Sequence, residues 1–272
     1  MDRLDVVIAE RRWSVDLTGA VELAIPLEFE GHQPRAFDMP EATAQAVQGG
    51  GFVGDTRRGG SVNCETVELI AHGNGTHTEG VGHLTDERIS VGDCVTEPLL
   101  PAIVLTASLC EIDDTDETYG GDFAPGDRVI TKKSVADAAQ SAGVDDAFFN
   151  TVVIGLDAAA DFKARADHSG TNPPYLTSEA IGWLRDVGCD HLLVELPSID
   201  REDDGGGVPN HHRFFGLEPG RRASEQSRRR TVTELIDVPS DLDDGPYALS
   251  LRFPRFGLDA APSRPVIYPL QR

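Results

Sequence analysis

Between Ala71 and Leu84 the chain reads A-H-G-N-G-T-H-T-E-G-V-G-H-L, where three of its eight histidines and one carboxylate stand among four glycines. This segment cannot be a helix. Each glycine costs a helix interior about 1 kcal/mol relative to alanine, and His72 and His77 would face directions roughly 140° apart. A bent strand accommodates the same residues. His77 and Glu79 share parity and project from one strand face, while Gly73-Asn74-Gly75 supplies a bend that swings His72, of opposite parity, back toward them. Gly80 and Gly82 supply a second bend, without which His83 would run roughly 20 Å away along an extended strand. Imidazole and carboxylate are the usual ligands of zinc, manganese and iron, so the arrangement predicts a divalent metal site.

Composition limits the partners. The chain has 272 residues, enough for a sizeable core, and a net charge of −22 from 46 acidic and 24 basic residues. Such a balance argues against nucleic acid or an anionic membrane as partner, because phosphate binding needs concentrated Lys and Arg. The R-R-R run at 228–230 is too short to reverse it. Cys64, Cys94, Cys110 and Cys189 form no C-x-x-C pair and read as reduced, mostly buried residues. The N-terminus has no signal-like pattern and no run approaches the ~18 apolar residues of a membrane span. The expectation is a soluble cytoplasmic protein acting on a small molecule, assembled as a homo-oligomer, most simply a dimer.

No internal repeat or long linker divides the chain, so one domain over 1–272 is expected. Trp13–Leu17, Val21–Ile25, Thr66–Ala71, Pro101–Ser108, Asp127–Thr131, Val152–Leu156, His191–Leu196, Thr231–Val238 and Tyr247–Phe253 read as strands. Helices are expected over Ser134–Ala142, with Ser134 as N-cap and Gly143 at its end, and over Ser178–Val187, opened by Thr177 and stopped by Gly188. Residues 28–60, rich in Gly and Pro, read as a loop excursion. Asp200–Gly207 reads as an acidic loop; solvated charge is the default reading of Asp200, His211 and His212 in or beside it, with pocket lining by one of the two histidines as the alternative. Trp13 and Trp183 read as core residues. Few helices among many strands means an α/β or α+β domain with a strand-rich centre.

The segment G-T-H-T-E-G-V-G-H resembles the H-x-G-T-H-x-D-x-P-x-H signature of the cyclase, or kynurenine formamidase-like, family of metal-dependent hydrolases. Similar segments follow at 170–180 (G-T-N-P-P-Y-L-T-S-E-A), at 191–200 (H-L-L-V-E-L-P-S-I-D), at the His211-His212 pair and at 259–268 (D-A-A-P-S-R-P-V-I-Y). The resemblance implies an α/β, strand-rich single domain of the swivelling β/β/α fold. It implies that His77 and Glu79 are metal ligands and that His83 is the general acid/base. The family's first ligand falls at Gly73, so His72 is its nearest substitute. A second-metal His and Glu about a dozen residues apart are matched to His168 and Glu179. Without the resemblance, Glu179 would read as a first-turn residue favoured by the helix dipole. Glu replaces the family's Asp at 79, and Val81 replaces its Pro.

These residues predict metal-assisted hydrolysis of an amide or other acyl bond, with zinc or manganese lowering the pKa of a bound water and His83 moving the proton. The resemblance implies an arylformamidase-like activity on a small acylated aromatic amine or cyclic amide. Two alternatives remain. His77, Glu79 and a distant His168 or His211 also outline a 2-His-1-carboxylate iron oxygenase, and a non-catalytic metal-binding protein is the other.

Overall fold

A computed structural model of the chain describes residues 2–157, 162, 165–218, 220 and 222–272. The N-terminal strands are β1 (Arg3–Ile8), β2 (Arg11–Asp16) and β3 (Val21–Glu22), followed by the short β4 (Thr43–Ala46), β5 (Gln48–Gly49), β6 (Phe52–Val53) and β7 (Glu65–Glu68). The glycine- and histidine-rich segment carries β8 (His77–Gly80). Next come β9 (Leu100–Ala107), β10 (Leu109–Glu111), β11 (Arg128–Ile130), helix α1 (Lys132–Ala142), β12 (Thr151–Leu156), β13 (Tyr175–Leu176) and helix α2 (Ser178–Asp186). The chain finishes with β14 (His191–Val194), helix α3 (Pro209–Phe215), β15 (Thr231–Glu234), β16 (Gly245–Arg252), β17 (Ala260–Pro262) and β18 (Arg264–Gln271).

Most strands join one eleven-stranded sheet, ordered β1-β2-β18-β16-β9-β12-β14-β15-β8-β17, with β3 also paired to β18. Its centre, β9, β12, β14 and β15, is parallel, and the strands on either side are antiparallel. Parallel strands are covered on both faces, which is why β12 and β14 appear in the sequence as unbroken apolar runs. Alternation then sorts their side chains. Ile103, Leu105, Val152, Ile154, Leu192 and Val194 pack against Val135, Ile181, Leu184, Phe214 and Phe215 of the helices. The residues of opposite parity, Val104, Val153 and Leu193, pack with Leu23, Ile236, Leu249 and Ile267. This strand-rich mixed sheet with three α-helices among the described residues agrees with the α/β expectation.

The helix boundaries show how caps compete. Ser134 is not the N-cap of α1; the helix opens three residues earlier, where the Thr131 side chain accepts the Ser134 N–H. The Ser134 hydroxyl instead accepts the Ser108 N–H at 2.8 Å. Helix α2 opens as expected, with Thr177 accepting the Ala180 N–H. Three regions depart from the sequence reading. Residues 28–60 contain short ribbons, β4 pairing with β7 and β5 with β6. The strand expected over Thr66–Ala71 is the exposed β7, and a turn in which Gly73 and Asn74 both donate to the Ile70 carbonyl separates it from β8. The expected loop Asp200–Gly207 has no helix or strand, but it leads directly into α3 around His211, which the sequence reading did not anticipate. Trp13 is buried against Phe148, and Trp183 packs partly buried on Phe149. Of the free cysteines only Cys94 and Cys189 are buried. Among the described residues no helix is long and apolar enough to cross a membrane.

Candidate metal centre

Strand β8 is buried at every position and lies between β15 and β17. Its register places His77 opposite Glu234 of β15 and Pro262 of β17. Residues directly opposed in an antiparallel pair share a face. The sheet therefore brings Glu234 to His77, whose Nε2 lies 3.3 Å from Glu234 Oε2. Glu79, two residues on, projects from the same face. Its Oε1 lies 2.8 Å from His211 Nε2 on α3, and its Oε2 lies 2.8 Å from His72 Nδ1.

The two bends behave as their glycines require. Gly75 has φ +77, a left-handed conformation that costs a side-chain-bearing residue strain. Gly82 packs where a Cβ would collide with the Ile89 carbonyl oxygen. It sits in the 3-10 turn Val81–Leu84, which carries His83 back over the cluster. The His72 and His83 ring centroids are 4.3 Å apart, and those of His83 and His211 are 5.7 Å apart. Asp259, just ahead of β17, completes this side: its Oδ2 is 2.8 Å from His72 Nε2 and 3.5 Å from His83 Nδ1.

Neighbouring acceptors orient two of the imidazoles. A carbonyl only accepts, so the His77 Nδ1–H donates to the Gly75 carbonyl at 3.0 Å and Nε2 is left facing Glu234. The His211 Nδ1–H donates to Asp200 Oδ2 at 2.6 Å, which leaves its Nε2 facing Glu79 and Glu234. Asp200 is itself held by the Tyr119 hydroxyl at 2.8 Å and by the Asn210 and His211 N–H groups. Such outer partners fix the tautomer and direction of histidine ligands in metal sites.

Among the described residues, three groups have ligand atoms within 4.8 Å of one another: His72, His77 and Glu79; Glu79, His211 and Glu234; and His72, His83 and Asp259. The inner atoms fit a cation for a specific reason. His77 Nε2, Glu79 Oε1 and His211 Nε2 are buried and lie in the two groups that share Glu79, yet none makes a hydrogen bond. Buried polar atoms are ordinarily satisfied, and divalent ions at two positions, one among His72, His77 and Glu79 and one among Glu79, His211 and Glu234, would satisfy all three. The nitrogen and oxygen donor set suits zinc, manganese or iron.

Charge in the cluster is strongly coupled. Burial opposes the ionised form of Glu79, but the His211 and His83 charges beside it outweigh it and hold the carboxyl well below its usual range. Burial disfavours the His211 cation, but Glu79, Asp200 and Glu234 raise it well above an ordinary histidine. Burial likewise opposes the charge on His72, and Glu79 and Asp259 overcome it, raising its pKa to about 9.

The structure thus brings together His72, His77, Glu79 and His83, and adds His211, Glu234 and Asp259. It does not bring His168 or Glu179 to them. Glu179 takes the Thr118 N–H at 2.7 Å and the Thr118 hydroxyl at 2.9 Å. The His168 ring stacks on Phe162, with centroids 5.0 Å apart, and belongs to none of the three groups. The His and Glu that approach Glu79 are His211 and Glu234 instead. The solvated charge expected at Asp200 and His211 is also corrected, since they are 3% and 2% exposed. Glu234 ends an expected strand and Asp259 opens the D-A-A-P segment, but no local pattern marks either acid as part of a cluster.

Comparisons with known proteins follow the fold. No curated protein matches the chain by sequence. Isatin hydrolase A from Labrenzia aggregata superposes with a TM-score of 0.58 at 16% identity, covering 92% of this chain and 93% of the other. Isatin hydrolase A from Ralstonia solanacearum gives 0.56 at 14% identity over 93% and 92% of the two chains. A predicted metal-dependent hydrolase from Bacillus stearothermophilus gives 0.55 at 14% identity over 93% and 98%. At these identities the likeness is one of fold. The model of the family described as "Putative cyclase" matches residues 15–201, more than half of the sequence, and the chain belongs to that family.

Proposed function

We propose that this protein is a metal-dependent hydrolase that cleaves an amide or other acyl bond of a small molecule, of the arylformamidase or cyclic-amide type. The observation that carries the reading is that His77 Nε2, Glu79 Oε1 and His211 Nε2, buried and without hydrogen bonds, belong to two adjoining groups of ligand atoms that share Glu79. The similar isatin hydrolases and the metal-dependent hydrolase support the reaction class. One ion would be held by His72, His77 and Glu79 and another by Glu79, His211 and Glu234. Zinc or manganese suits these donors.

A divalent ion held there would lower the pKa of a bound water to about 7 and polarise the substrate carbonyl. The remaining work falls to the chain. His83, with its side chain 29% exposed beside the buried group, accepts the proton as the water oxygen bonds to the acyl carbon. It returns that proton to the leaving nitrogen or oxygen as the acyl bond breaks. Asp259 faces His83 Nδ1 and orients the ring.

The test is metal analysis of the purified protein, followed by assays on N-formyl arylamines and cyclic amides with and without chelator. Hydrolysis that disappears on chelation and returns with zinc or manganese is expected. Turnover that requires oxygen and 2-oxoglutarate would replace this reading with the iron oxygenase one.

A further inference from the structure

The third group of ligand atoms stands apart from the buried one. Asp259 Oδ2 lies 2.8 Å from His72 Nε2 and 3.5 Å from His83 Nδ1. The two imidazoles lie side by side, with an interplanar angle of 32°. The His72, His83 and Asp259 side chains are 26%, 29% and 35% exposed, so solvent can fill the remaining position of a four-coordinate ion. Ligands at roughly 2.0–2.2 Å around a tetrahedral zinc are about 3.3–3.6 Å from one another. The two distances to Asp259 bracket that spacing from below and within, and all three ligand atoms lie within 4.8 Å of one another.

We propose that His72 Nε2, His83 Nδ1 and Asp259 Oδ2 form a separate outer site for a divalent transition-metal ion, and that filling it inhibits the enzyme by capturing His83. The inhibitory half rests on the hydrolase reading above; the binding half does not.

Lone-pair accounting supplies the mechanism. A neutral imidazole has one nitrogen lone pair available to a metal or a proton, the other nitrogen being an N–H. When His83 Nδ1 gives that pair to an ion, Nε2 carries the hydrogen and the ring can no longer accept a proton. His72 faces the same choice between two positions. If its lone pair is on Nε2, toward the outer ion, the Nδ1–H donates to Glu79 Oε2, already 2.8 Å away. If the lone pair is on Nδ1, toward the inner group, the Nε2–H donates to Asp259. Either tautomer is satisfied, so His72 can serve the outer ion while Glu79, His211 and Glu234 remain together.

Zinc titration of the protein holding its tight metal at Glu79, His211 and Glu234, read by calorimetry alongside turnover, tests both halves. A weaker equivalent beyond the tightly held metal is expected, with turnover falling as it fills. Asp259→Asn and His83→Gln should keep the tight metal but weaken this equivalent by at least about 10- to 100-fold, the loss seen even for outer partners of metal ligands. Both side chains are partly exposed, and a near-UV circular dichroism spectrum reports whether each variant folds. The site is overturned if both folded variants bind the weaker equivalent as the parent does. The inhibition is overturned if turnover is unchanged while it fills. Failure of the hydrolase reading looks different: the protein has no hydrolytic turnover, while cobalt(II) still binds to the outer trio in an Asp259-dependent way. That result supports the site and removes only its inhibitory effect.

Discussion

Glu79, His211 and Glu234 are held differently from His72, His83 and Asp259, although the two groups touch. The first three have side chains only 1–4% exposed, and they are positioned by sheet register and by buried hydrogen bonds to Asp200. The second three lie on turns and are 26–35% exposed. A ligand group gains from burial, which excludes water and fixes geometry. A group that exchanges protons with substrate has to reach the open side. The difference argues that the buried half holds, while the open half, in which His72 also reaches the inner group, carries the acting His83.

Glu79→Ala tests the comparison most severely, because Glu79 offers an oxygen to both metal positions. It should lose all tightly bound metal and any measurable turnover; metal retained in full, by elemental analysis, would break the assignment of the buried half. His83→Ala should keep the tight metal and lose roughly 10²- to 10⁴-fold in turnover, the usual worth of a general acid/base. Its pH–rate profile should also lose the imidazole limb. Metal loss in His83→Ala would instead make both halves ligand groups.

Asp200→Asn is a finer probe. It removes the carboxylate that fixes the His211 tautomer and should weaken metal binding by about 10- to 100-fold, measured by competition with a chelator. An unchanged affinity would mean that α3 packing alone orients the ring. The smallest effect concerns His72 in the metal-free protein. Burial opposes its charge, yet Glu79 and Asp259 raise its pKa from 6.5 to about 9. A group bound more tightly to its proton when folded stabilises the fold fully below its unfolded pKa, and that stability is lost as pH rises through the folded value. Metal-free protein should therefore lose stability between about pH 6.5 and 9 more steeply than His72→Gln, in denaturant titrations across that range. Bound metal should flatten the slope, because it displaces the proton.

Local chemistry made much of the molecule legible. The apolar runs of β12 and β14 marked buried parallel strands, and Thr177 marked the start of α2. Ser134 misled because two residues could cap α1, and its hydroxyl had a better use at Ser108. Helix α3 was hidden, since Asp200–Gly207 before it reads as loop and only its packing on α2 and the sheet gives it a buried face.

By itself, the sequence determined that residues 71–84 are a strand with glycine bends and not a helix, with His77 and Glu79 on one face, because glycine content and side-chain parity are local properties. Family resemblance added His83. Only the tertiary structure decided which distant groups meet them. Glu234 arrives by antiparallel register, His211 by α3 lying over β8, and Asp259 by the return of the chain into β17. The matches at His168 and Glu179 failed for the same reason. Spacing along a chain does not measure distance across a sheet, and a ligand set is defined by the point where side chains from separate elements converge.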